Sequence, residues 1–139
     1  MVVTDPGPML DLLERLRRGW ESLNADAALA CFAEDAGIVV IGTDAPEYWT
    51  GYPALIEPFR AMTEAFSEAR YAWHDPGPSI EMLGDAAWAA GVLNASFRNA
   101  DGWIDLPMRT SVVARRDADG EWRIRHAHFS LPAAEPVAY

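Results

Sequence analysis

The sequence contains no lysine, no glutamine and only one cysteine. Its eleven basic residues are all arginine and face 21 acidic ones, for a formal net charge of −10. A chain so acidic offers no basic surface to grip phosphates, which argues against nucleic acid or an anionic membrane as a partner. No apolar run reaches the ~18–20 residues that a membrane span needs. Residues 1–8 have neither a basic n-region nor an apolar h-region, so no secretory leader is expected and the expected compartment is the cytoplasm. Cys31 cannot close an intrachain disulfide and reads as a small buried hydrophobe rather than a nucleophile. Repeats and low-complexity tracts are missing too. The arginine-only basic set, with abundant alanine and glycine, points to a GC-rich bacterial coding sequence.

What is present is core-forming material. Half of the 139 residues are apolar and 11% are aromatic, enough for one domain with a buried core. Met9, Leu12, Leu13, Leu16, Trp20 and Leu23 recur at spacings of three and four, which predicts a helix with one apolar stripe. Pro8 suits its first turn and Asp5 can cap it. Asn24-Ala25-Asp26 breaks and recaps the chain before a short helix over 27–33. The glycine-bounded run Gly37–Gly42 predicts a buried strand, 43–51 a loop, and 53–66 a third helix with Pro58 near its start. Three turn signals follow, at Gly84-Asp85, Asn99–Gly102 and Asp117–Gly120. They separate strand-like runs over 79–83, 86–98, 103–116 and 121–130, the pattern of an antiparallel meander. Helices followed by a meander mean an α+β domain, with a curved sheet around the helices. The whole chain, 1–139, forms one domain with its core at about 8–131 and a loose tail over 132–139.

Certain residues carry a family likeness. Cys31-Phe32-Ala33-Glu34-Asp35-Ala36 looks like the Phe-Ala-x-Asp-Ala junction between a helical hairpin and a first strand. Trp49-Thr50-Gly51 with Ala54-Leu55-Ile56, and Arg115-Arg116-Asp117 through Trp122–Ser130, look like a third-helix entry and a final hairpin. The whole resembles the SnoaL-like branch of the nuclear transport factor 2-like superfamily. The His-x-His-x-Ser ending is similar to the association domain of calcium/calmodulin-dependent kinases. The resemblance implies a cone-shaped, mostly antiparallel sheet, a pocket for a small molecule, and a homodimer through the convex sheet face. It leaves function open, because the fold hosts isomerases, cyclases, hydrolases, dehydratases and assembly domains. Aligned on the ketosteroid isomerase branch, the general base falls at Val40, the oxyanion-hole acid near Val112 and the helix phenol near Leu16. None of these transfers a proton, so the resemblance excludes that activity.

Asp44, Tyr48, His126 and His128 are the candidate catalytic residues. Asp44 and Tyr48 belong, with Glu47 and Trp49, to a loop that can lie at the pocket mouth. His126 and His128 alternate with Trp122, Ile124 and Ser130, which puts all five on one face. Two imidazoles about 7 Å apart along a strand would need a third metal ligand, and no motif supplies one, so neither metal nor cofactor is expected. Pattern makes that face the buried one; the resemblance instead turns Ala127 and Phe129 to the cavity and the histidines to the dimer. The candidate ligand-binding residues are Trp49, Trp88, Asn94, Met108, Arg109, Thr110, Val112 and Phe129. Asn94 could orient a ligand or pair across strands, and Arg109 could hold a carboxylate or bridge the sheet. His74 reads as a surface turn residue. The expected function is binding of a small apolar or aromatic metabolite, with cofactor-free isomerisation, cyclisation, dehydration or epoxide opening if it is turned over. The alternative is a non-catalytic binding or assembly domain.

Overall fold

The computed structural model describes residues 5–138. The expectations about residues 1–4 and the final residue of the tail lie outside them. Helix α1 spans Gly7–Glu21 and α2 spans Ala25–Leu29. The predicted stripe is realised, since Met9, Leu12, Leu13, Leu16 and Trp20 are all buried. Asp5 accepts the Gly7 N–H at 2.9 Å at the start of α1, and Asn24 caps α2 by accepting the Ala27 N–H at 3.0 Å. The Asn24 cap satisfies a donor that the helix cannot, an effect of about 1 kcal/mol; the cap position of α1 is Pro6, which makes no side-chain cap bond.

Strand β1 is Val39–Ile41, β2 is Tyr48–Thr50 and α3 is Pro53–Glu64. The segment read as a loop over 43–51 therefore contains a strand, and β1 and β2 form a short hairpin with Val40 opposite Trp49. Helix α3 starts at Pro53 and continues through Pro58, which has no N–H for the Ala54 carbonyl. After it come β3 (Glu68–Trp73), β4 (Ser79–Leu83), β5 (Ala86–Asn99), β6 (Gly102–Arg116) and β7 (Trp122–Ser130). Strand β3 was not anticipated. Its residues Ala69 and Tyr71 alternate inward.

The sheet runs β2-β1-β7-β6-β5-β3, with β4 also on β5. All its pairings are antiparallel except that of β1 with β7. Strands β3 and β4 share one edge of β5, and the chain crosses between them at Gly91. A Cβ there would lie 3.2 Å from both Pro78 Cα and the Trp73 ring. The long β5 and β6 curl over α1 and α3 to give an α+β cone whose concave side holds the core.

One irregularity decides the direction of the last strand. Val113 pairs with His126 but Ala114 pairs with Ile124, so Arg125 is an extra residue in β7. Such a bulge resets the alternation of side chains. Before it, Trp122 and Ile124 are buried; after it, Ala127 and Phe129 are. The expectation that His126 and His128 share a face with Trp122 and Ile124 is therefore corrected. Arg125 is pinned by Asp117 at 2.5 Å and Asp35 at 2.7 Å, and Arg123 also holds Asp117, at 2.8 Å. These guanidinium contacts keep the Asp117 carboxyl below its ordinary range, the Arg123 hydrogen bond most of all. The bulge sits where the chain leaves β7: Ala33 donates to the Ile124 carbonyl, and β1 rejoins β7 opposite His126.

Candidate functional site

A cavity of about 120 Å³ opens inside the cone. Its wall is largely aromatic: Trp20 from α1, Phe59 from α3, Tyr71 from β3, Phe97 from β5 and Phe129 from β7, with Trp49 from β2. Trp20 is the hub, with ring centroids 5.2 Å from Phe129, 5.7 Å from Tyr71 and 6.2 Å from Phe59. Its indole N–H is buried and has no hydrogen-bond partner among the described residues, a cost of about 1–3 kcal/mol when left unmet.

Tyr71 is held by its backbone. On the edge of β3 away from β5, its N–H donates to Glu21 at 2.9 Å and its carbonyl accepts from Arg17 at 3.3 Å. Arg17 also pairs with Glu14 at 2.7 Å and Glu21 at 2.9 Å, so three charged residues of α1 close an otherwise open sheet edge. The Arg17 guanidinium holds the Glu14 carboxyl down at about 2. The Tyr71 hydroxyl makes no hydrogen bond with a described residue, and burial pushes its pKa up, so it stays a donor.

The mouth is built by the β1–β2 hairpin. Glu47 and Trp49 face the cavity, while Tyr48 between them points out and is 61% exposed. Glu47 Oε1 accepts the Asp44 N–H at 2.7 Å and lies 3.5 Å from Thr43 Oγ1. The Gly42 N–H donates to the Glu47 carbonyl at 2.7 Å. A Cβ on Gly42 would stand 2.7 Å from Glu47 Cβ and Oε1, so the carboxylate occupies space that only glycine leaves. Among the described residues Glu47 is the one carboxylate lining the cavity, and no arginine or histidine does.

The residues singled out in the sequence divide between two faces. Trp49, Met108 and Phe129 line the cavity. Thr110 and Val112 face inward from β6 but are packed in the core, with the Thr110 hydroxyl donating to the Met108 carbonyl at 3.2 Å. Trp88, Asn94 and Arg109 alternate onto the convex face, away from the cavity, and Arg109 donates to the Leu131 carbonyl at 3.3 Å. Asp44, Tyr48 and His128 come together, but around an open groove of about 340 Å³ beside the cavity mouth, which shares Gly42, Thr43, Glu47 and Phe129 with the cavity. His126 lies on the same outer face, with Nδ1 donating to the Val39 carbonyl at 2.9 Å. Among the described residues no three His, Cys, Asp or Glu side chains are grouped to hold a metal. Cys31 is buried, and desolvation raises its pKa, which makes it a poor nucleophile.

Sequence reasoning missed Trp20, Tyr71, Phe59 and Phe97 as cavity residues. Their apolar periodicity is the same whether a ring fills the core or borders a void. Glu47 had a weaker signal, as a member of the loop expected at the pocket mouth.

The geometry agrees with what similarity to known proteins shows. Many solved structures share the fold, and three illustrate it. A nuclear transport factor 2-like superfamily protein from Salmonella enterica serovar Typhimurium superposes with a TM-score of 0.81 at 21% identity, over 93% of this chain and 92% of that one. A protein of unknown function with a cystatin-like fold from Nostoc punctiforme gives a TM-score of 0.75 at 18% identity, over 98% of both chains. A nuclear transport factor 2-like protein of unknown function from Pseudomonas putida gives 0.74 at 18% identity, over 94% and 90%. No match is found among curated proteins. Residues 10–134, nearly the entire chain, match the SnoaL-like domain model, and the protein belongs to that family.

Proposed function

We propose that the protein binds a small, largely apolar molecule of about one ring's size inside the cone. The observation that carries this reading is the aromatic-walled cavity of about 120 Å³. A cavity of roughly 150 Å³ accepts benzene, whereas drug-sized ligands need several hundred. Isomerisation, cyclisation, dehydration or epoxide opening in this space would each need a proton acceptor. Glu47 supplies the one carboxylate among the described lining residues, while Asp44, Tyr48, His126 and His128 stand outside it. Binding is therefore the function we assign, and Glu47 is the residue on which any turnover would depend.

The convex face supports pairing of two copies. Trp88 and Val113, neighbours across β5 and β6, are 37% and 39% exposed beside His126, and apolar side chains open to water on a sheet face favour a contact. A single buried thiol suits a reducing compartment, in keeping with a cytoplasmic protein. No helix among the described residues is long and apolar enough to cross a membrane.

The test is a thermal-shift and NMR screen of single-ring compounds against the wild type and Met62→Trp. Met62 lines the cavity from α3 and is only half-buried, so a larger side chain fills the void without entering the core. Hits that stabilise the wild type and lose their effect on the variant support the reading. Hits indifferent to the substitution overturn it.

A further inference from the structure

The cone joins two features: a wall of aromatic rings, and one carboxylate with no cation beside it among the described lining residues. Trp20, Trp49, Phe59, Tyr71, Phe97 and Phe129 provide the rings, and Glu47 provides the charge. We infer that the molecule held in the cone is a small organic cation, a protonated or quaternary amine whose apolar body lies against the rings and whose charge faces Glu47. This rests on the pocket reading given above and names the ligand class for that site.

Ring faces are negative and attract ammonium groups, more strongly when both partners are desolvated, and tryptophan does so best. Trp20 and Tyr71 are nearly fully buried, so water does not screen their faces. Glu47 Oε1 is anchored by the Asp44 N–H at 2.7 Å, which fixes the carboxylate, while Oε2 makes no hydrogen bond with a described residue. A fixed carboxylate with one oxygen free is suited to accept from an ammonium N–H, or to balance a quaternary charge. The alternatives fit less well. An anion would meet Glu47 with no arginine or histidine lining the cavity among the described residues, and burying such a charge unpaired is costly. A neutral ring would satisfy the walls but set apolar surface against the carboxylate. The net charge of −10 also favours approach of cations over anions.

The experiment uses matched pairs that differ in charge but hardly in shape: tert-butylamine with tert-butanol, and benzylamine with benzyl alcohol. Both amines carry their proton at neutral pH. Titrations of the full chain are followed by NMR on the indole N–H signals. We expect each ammonium to bind at least ~10-fold tighter than its alcohol. Glu47→Gln should abolish that preference, the amine losing more affinity than the alcohol. As a check that needs no substitution, the wild-type preference should shrink as salt is raised, because the carboxylate sits at the mouth. If the alcohols bind as tightly as the amines, or the preference survives both Glu47→Gln and salt, the cation inference is overturned and the apolar pocket stands. If neither member of either pair binds, both readings fail.

Discussion

His128 and Phe129 are neighbours on β7, yet they belong to different surfaces. Phe129 closes the cone and packs edge-on against Trp20 at 5.2 Å. The His128 side chain turns the other way, to stand with Asp44 and Tyr48 around an open groove that Glu47 and Phe129 also border. The same division runs along the hairpin, where Glu47 and Trp49 face in and Tyr48 faces out. The groove collects the residue types usually associated with catalysis, but water reaches all of them and no wall excludes it. The cone has rings, one carboxylate and the unpartnered Trp20 indole N–H, and it is the more enclosed of the two. Enclosure is what strengthens electrostatic contacts and selects a ligand by shape. The chemistry available to a side chain is thus set by its face as much as by its type.

The sharpest way to break this division is to exchange the two neighbours, His128→Phe with Phe129→His. The variant buries an imidazole among the rings and exposes a phenyl. Chemical denaturation should show a loss of about 4 kcal/mol or more, the range for removing a buried phenyl and adding an unpaired polar group. A change below about 1 kcal/mol would mean that the two faces are not distinct.

A smaller effect tests the bulge that sets the division. Asp117 holds Arg123 and Arg125, and its depressed carboxyl contributes stability that is complete above the ordinary value of 3.8 and is lost as pH falls through the lower folded value. Asp117→Asn should therefore cost on the order of 1 kcal/mol at neutral pH. The gap from wild type should close as pH falls below 3.8 and through the lower folded value, when followed by denaturation across pH. A gap that stays constant with pH would remove the charge from the account of the bulge.

The smallest effect expected is that of His128→Ala. Monomer stability should change by less than ~0.5 kcal/mol, as for exposed positions generally. Ligand affinity should hold, and sedimentation should show a weaker dimer. Loss of ligand binding would move the site from the cone to the groove.

Much of this architecture was legible in advance where a pattern is local. The α1 stripe follows from the period of 3.6 that helix geometry imposes, and the turns at Gly84-Asp85 and Asn99–Gly102 follow from residue chemistry. The bulge left a trace as well. Trp122, Ile124, Ala127 and Phe129 contain one three-residue step in a two-residue rhythm. Neither reading of β7 taken alone used that step. The short β2 was hidden because a three-residue strand has too few alternations to separate from a loop.

The sequence by itself determined the helices, β1 and the meander from β4 to β7, because hydrophobic period and turn chemistry are properties of neighbouring residues, and its motifs carried the family likeness; β2 and β3 it did not determine. Only the tertiary structure decided that Trp20, Tyr71 and Glu47 meet. They lie on α1, on β3 and next to β2, and the sheet's curvature brings them around one cavity. No spacing along the chain encodes that meeting, since a void arises from how surfaces fail to fill space, and that is a property of the packed whole.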